Sequence, residues 1–198
     1  MERVSQLIEK YIKKYNLTDF QLSENTCNYI DNNFRRIEVK KKKLISEEEK
    51  KEKYLYFIEK GILRYWTQDI HYQEITFWFS FSGEFANSYY SFCKEEKSDF
   101  NIEALTDCVI WRADKKFILE MYNSSLEINK LARIVMEDIF TRKIKHEIEL
   151  LKYTLEERYK LLATRDCNLL KEIPLKYIAS YIGGTPQSIS RIRRKLFT

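Results

Sequence analysis

Gln187, Arg191 and Arg194 fall on one line of a helical projection, because steps of four and three residues at 100° each return to nearly the same bearing. Ile189, Ile192 and Leu196 lie almost diametrically opposite. A helix divided in this way seats its apolar side on a core and turns forked hydrogen-bonding groups outward. Glutamine can pair bidentately with adenine, and arginine with N7 and O6 of guanine, so the outward line suits base edges in a DNA major groove. Ser190 stands with Gln187 and Arg191 in the N-terminal half of the helix, the half that meets bases, while Arg194 can serve a base or a phosphate. Thr185 and Ser188 at the head of the helix, and Arg193 and Lys195 along its flanks, complete the DNA-binding set as phosphate-side groups.

Something must hold that helix at a fixed angle, and the preceding residues are suited to it. Leu175, Ile178, Ala179 and Ile182 recur at helical spacing, and the small Ala179 lets a second helix approach closely. Gly183 tolerates the positive φ that ends a helix. Thr185 is a good N-cap and Pro186 a good first residue, so a new helix starts within a few residues. Two helices across a tight glycine turn make a helix-turn-helix. Thr154-Leu155-Glu156-Glu157 fits a capping box, which starts the supporting helix near Leu155. Between them, residues 166–172 lack helix signals and are expected to form a small β-wing.

Charge agrees with a polyanionic partner. Of the 198 residues, 152–198 carry ten Lys/Arg against four Asp/Glu, whereas 1–151 carry 25 against 26. The net charge of +5 therefore comes from the C-terminal end. Cys27, Cys93, Cys108 and Cys167 are scattered without a CxxC pair, which signals neither zinc nor a disulfide framework, so no metal and no cofactor are expected. No apolar run is long enough to span a membrane, and residues 1–14 lack the apolar middle of a signal peptide, which implies no membrane partner and a cytoplasmic location.

Upstream, Val4, Leu7, Ile8, Tyr11 and Ile12 mark an N-terminal helix, and another follows Ser23. Strand-like runs then cover 37–45, 54–58, 62–67, 74–81, 101–105 and 109–113, separated by turn-like stretches. They predict an antiparallel β-barrel or sandwich, with Lys40 to Lys43 as a solvated edge strand. Asp114 can cap a short helix. From Ser125 the periodicity predicts a rod of some 26 residues, roughly 39 Å long. Its apolar stripe passes from Leu131 and Val135 to Met136, Phe140, Ile144 and Ile148, wider than packing on one barrel requires. This favours a homodimer through the helix.

The residues 178–183 followed by 185–192 resemble the C-terminal motif of the Crp/Fnr family of bacterial transcription regulators. Tyr56 to Arg64 resembles that family's barrel hairpin, and Gly83-Glu84-Phe85 the start of its phosphate-binding cassette. The resemblance implies an α+β fold: an N-terminal jelly-roll effector domain over 1–124, the barrel itself beginning near residue 20, a dimerisation helix over 125–152, and a winged helix-turn-helix over 153–198. It also implies a sequence-specific regulator that binds a pseudo-palindromic site in double-stranded DNA, with a small-molecule effector of unknown identity. Gly83, Glu84, Ser98 and Asp99 mark the corresponding pocket. The family's cyclic-nucleotide binders carry Arg-Ser-Ala or Arg-Thr-Ala where this chain has Ser98-Asp99-Phe100, and no arginine occurs between Arg64 and Arg112, so a response to cyclic AMP is not expected. An N-terminal cysteine cluster for iron-sulfur sensing is missing, and His71 and His146 have no haem motif around them. The alternative of a catalytic or small-molecule-binding barrel with an accessory DNA module finds no nucleophile-base pair, metal cluster or Gly-rich loop, and no enzyme is expected.

Overall fold

A computed structural model describes residues 2–14, 20–165 and 169–197. The chain divides into two compact units, Met1–Tyr65 with Phe79–Met136, and Trp66–Trp78 with Glu137–Thr198.

Among the described residues eight short strands form: β1 (Arg35–Val39), β2 (Leu44–Ser46), β3 (Tyr54–Lys60), β4 (Ile62–Gln68), β5 (Glu74–Phe81), β6 (Phe85–Ala86), β7 (Asn101–Ala104) and β8 (Cys108–Asp114). They make two four-stranded sheets, in the orders β1-β8-β3-β6 and β2-β7-β4-β5. Of the barrel or sandwich expected from strand spacing, the closed barrel does not form: among the described residues neither outer strand of one sheet bonds to the other sheet. The strand expected over 37–45 is also interrupted. Lys43 N–H donates to Lys40 C=O at 3.0 Å, Lys42 takes φ 70°, and Asp107 accepts from Lys41 N–H and Lys40 Nζ. The lysine run is thus a turn held by a carboxylate rather than an edge strand.

The first unit's core joins Phe57, Phe85 and Trp111 from the sheets to Val4, Ile8, Tyr11 and Ile12 of α1 (Val4–Lys14) and Ile30 of α2 (Glu24–Asn33). Ser23 caps α2, its hydroxyl accepting from Thr26 N–H. Helix α3 (Tyr89–Lys94) adds Phe92, and α4 (Lys115–Ser124) adds Phe117, Ile118 and Met121. Asp114 does precede α4, but its side chain makes no capping bond.

Helix α5 (Leu126–Lys152) is 27 residues long and contributes to both units. In the second unit it is followed by α6 (Leu155–Arg165), α7 (Leu169–Glu172), α8 (Leu175–Tyr181) and α9 (Pro186–Phe197). Thr154 and Glu157 make the reciprocal bonds of a capping box, at 2.8 Å and 3.3 Å. Of the segment expected to form a β-wing, residues 166–168, with Cys167, lie outside the described residues, and Leu169–Glu172 is helical. Among the described residues no helix is long and apolar enough to cross a membrane, and no cluster of three metal-ligating side chains occurs.

Gly61 makes the β3–β4 turn at φ +109°, and a Cβ there would stand 2.5 Å from Cys108 Sγ and 3.0 Å from Cys108 Cα. Left-handed strain and overpacking add at such a position, so Gly61→Ala is expected to cost about 2 to 4 kcal/mol. Chemical denaturation followed by circular dichroism checks this, and a loss below about 0.5 kcal/mol would contradict it.

Candidate nucleic-acid interface

Helices α8 and α9 owe their arrangement to the turn between them. Ile182 N–H still bonds to Ile178 C=O, then Gly183 enters the left-handed region at φ +68° and Gly184 N–H reaches back to Ala179 C=O at 2.8 Å. The helix's last carbonyls are thereby satisfied and the chain is free to reverse. Thr185 then accepts from Ser188 N–H at 3.2 Å through its hydroxyl, and from Ile189 N–H at 3.0 Å through its carbonyl. Ile189 is fully buried, as are Ile178, Ala179 and Ile182. Ile192 and Leu196 are half-buried.

Opposite that seam, Gln187, Ser190, Arg191, Arg193, Arg194 and Lys195 are all exposed. Of the eight expected DNA-facing residues, these six are exposed along α9, with Gln187, Arg191 and Arg194 on the side away from Ile189. The other two serve α9 itself: the Thr185 and Ser188 hydroxyls lie 3.0 Å apart within the cap. Lys195 carries a second engagement, since its Nζ donates to Glu156 Oε2 of α6 at 2.9 Å while Lys160 donates to Oε1 at 2.8 Å. Arg158 adds another tie, donating to Leu150 C=O at 2.6 Å and to Gly183 C=O at 3.5 Å. Sequence reading missed Glu156 and Arg158 as positioning residues, because their partners lie 39 and 25 positions away.

The residues expected at an effector pocket divide differently. Gly83 turns at φ +85° and donates to Ile58 C=O. Glu84 is buried with its carboxylate folded back on Phe81 N–H at 3.1 Å, so it braces the turn. Ser98 is buried, its hydroxyl bonded to Ser88 Oγ at 2.8 Å and to Phe100 C=O at 2.7 Å, while Asp99 is exposed. Beside them lies a carboxylate that nothing in the sequence singles out. Glu52 is buried and accepts from Lys53 N–H, Tyr54 N–H and Ser88 N–H at 2.9, 3.0 and 3.5 Å. Burial pushes its carboxyl above the usual range, and those hydrogen bonds oppose the rise. Glu52 N–H in turn donates to Ser91 Oγ. Ser88, Ser91 and Ser98 are thus committed to the protein's own backbone and side chains. Arg64 is buried on β4 with Nη1 3.6 Å from Glu103 Oε1.

The apolar stripe of α5 is likewise split. Leu131 belongs to the first unit's core, and Val135 is partly buried against it; Met136 is half-buried. Phe140, Ile144 and Ile148 are exposed at 65, 40 and 51%, with Leu151 at 83%.

Residues 36–125 match a family model described as Cyclic nucleotide-binding domain. No curated protein matches the sequence. Among solved structures, FixK2 from Bradyrhizobium japonicum is similar with a TM-score of 0.70 at 15% identity, over 82% of this chain and 84% of that one. The c-di-GMP-responsive global regulator CLP of Xanthomonas campestris gives 0.67 at 13% identity, over 88% and 91%. The catabolite activator protein of Thermus thermophilus gives 0.51 at 19% identity, over 85% and 79%. Identities this low establish a shared fold alone.

Two cations hold the Glu156 carboxyl down to about 2, Lys160 first and Lys195 second. A depressed carboxyl contributes stability above its ordinary value of 4.5 and loses it as pH falls towards 2. Glu156→Gln is therefore expected to lower the melting temperature at pH 6, by an amount that shrinks as pH falls through about 2. A difference that persists undiminished at pH 2 would contradict this role.

Proposed function

We propose that this chain, which carries a cyclic nucleotide-binding domain and has the fold of the Crp/Fnr transcription regulators, is a sequence-specific DNA-binding regulator rather than an enzyme. Helix α9 enters the major groove, and α8 braces it against the phosphate backbone as the first helix of a helix-turn-helix. The observation that carries this reading is the division of α9: Ile189 is fully buried while Gln187, Ser190, Arg191 and Arg194 stand exposed on the far side. Gln187, Ser190 and Arg191 meet base edges. Arg193 and Lys195 meet phosphates, and Thr185 and Ser188 set the helix start that approaches the backbone. Functionally the chain divides into an effector domain over 1–124, a dimerisation helix over 125–152 and a DNA-binding domain over 153–198, acting in the cytoplasm where the DNA is.

The protein acts as a homodimer through α5. Phe140, Ile144 and Ile148 are large apolar groups exposed at successive turns of one helix, and an identical stripe on a second copy would cover them. Two-fold symmetry then places two reading helices about one DNA turn apart, roughly 34 Å, which suits a pseudo-palindromic operator. Leu131, committed to its own core, supports the helix rather than the seam.

The effector is not cyclic AMP. A cyclic phosphate buried without a cation is costly, and a charge-assisted bond of the missing kind is worth about 1.5 to 3 kcal/mol. At the matching segment Ser98 is already bonded and Asp99 is negative. Calorimetry with cyclic AMP and cyclic GMP is expected to show no saturable heat below about millimolar. Micromolar binding, or operator affinity that rises with either nucleotide, would overturn this assignment.

Base-reading and phosphate-holding roles separate by specificity. Arg191→Ala is expected to cost about 1 to 3 kcal/mol on the cognate site and little on random DNA, whereas Lys195→Ala weakens both alike and lowers the salt dependence. Gel-shift titrations on the two duplexes at several salt concentrations measure this. Equal losses from both variants on both duplexes would defeat the assignment.

A further inference from the structure

Within the second unit, residues 75–78, the C-terminal half of α5 and the end of α8 enclose a cleft of about 270 Å³. Its walls are aromatic. His146 lies flat on Tyr181, with ring centres 4.0 Å apart and planes 7° from parallel. Trp78 meets both rings edge-on, at 6.3 and 6.5 Å between centres. One hydrogen bond fixes the spacing of these walls: Thr76 N–H donates to Ser180 Oγ at 2.8 Å, tying β5 to α8.

Lys143 also lines this cleft. Its ammonium lies 5.7 Å from the centre of the Trp78 ring and 5.9 Å from that of Phe77. Crowding by its surroundings draws its pKa below the ordinary lysine value. Glu147 lines the same cleft, one turn further along α5. A cation backed by ring faces attracts an anion. The aromatic walls attract a flat apolar body. Glu147 disfavours a second negative charge, which selects a monoanion over a phosphate ester. Sites for drug-sized ligands begin near about 300 Å³, so a cleft of this volume suits one or two fused rings.

We propose that this cleft binds a small planar aromatic monocarboxylate, its ring against Trp78 and its carboxylate on Lys143. None of these residues belongs to the segment around Gly83 and Ser98, so this is a second site, independent of the pocket to which the family resemblance points.

Isothermal calorimetry on the full-length protein tests it, with 2-naphthoate as the probe and 2-naphthylmethanol as its uncharged counterpart. The naphthoate is expected to bind saturably below millimolar, and the alcohol about tenfold more weakly or worse. Lys143→Met should weaken naphthoate by a similar factor, Lys143→Arg should retain it, and Trp78→Phe should weaken both compounds, with melting temperatures confirming that each variant is folded. No saturation by millimolar naphthoate would overturn the proposal. So would equal affinity for acid and alcohol, a comparison that needs no variant at all. DNA takes no part in this titration, so its failure leaves the regulator reading standing.

Discussion

Helix α9 is twelve residues long and places Arg191, Arg193, Arg194 and Lys195 within five positions, so in isolation it would be too short and too self-repelling to persist in water. It exists because its apolar side is covered, Ile189 fully and Ile192 and Leu196 in part. Removal of that apolar side would leave a charged peptide without a fixed direction. Everything functional at this end depends on the anchor. The αL turn at Gly183 sets how soon the helix begins, the Thr185 cap sets where, and the Arg158–Gly183 bond ties the turn to α6. A rigid anchor under an exposed cationic face is what base reading demands, since a misdirected arginine gains phosphate contacts but no specificity.

The first unit meets a different constraint, the cost of burying polar groups. Ser88, Ser91, Ser98 and Glu52 sit in its interior, and each is paired with a neighbour or with backbone. A network satisfied in this way is rigid and gains little from an anionic ligand that would have to displace it. The same fold can thus keep its architecture while its interior chemistry changes. The likeness to solved structures at 13 to 19% identity is of that kind: the fold is shared while most side chains differ.

The elements most legible in the sequence were those whose signals are local. The amphipathic line of α9, the Thr154 capping box and the Gly183 turn are each written within a few residues, and the structure places them there. What could not be read depends on partners far along the chain. Whether strands close into a barrel is decided by long-range pairing, and here two sheets remain open. The lysine run at 40–43 alternates poorly with apolar residues but carries no Gly or Asn, so its turn, with Lys42 left-handed and Asp107 as its clasp, had no sequence mark. Glu52 lies in a charge-rich stretch that looks solvated, and its burial depends on Ser88, 36 positions later. Leu131 and Phe140 share a stripe in the sequence, yet one faces its own core and the other solvent, because α5 passes from one compact unit into the next.

The central claim is that two anchored α9 helices read two related half-sites. Repeated selection of bound duplexes from a random pool, with the native full-length chain, tests it most directly. The account requires the recovered sequences to converge on an inverted repeat whose half-site centres lie about 10 base pairs apart or a multiple of that. Recovery of sequences with no shared motif, or of a single unrepeated half-site bound as tightly as the pair, would contradict it.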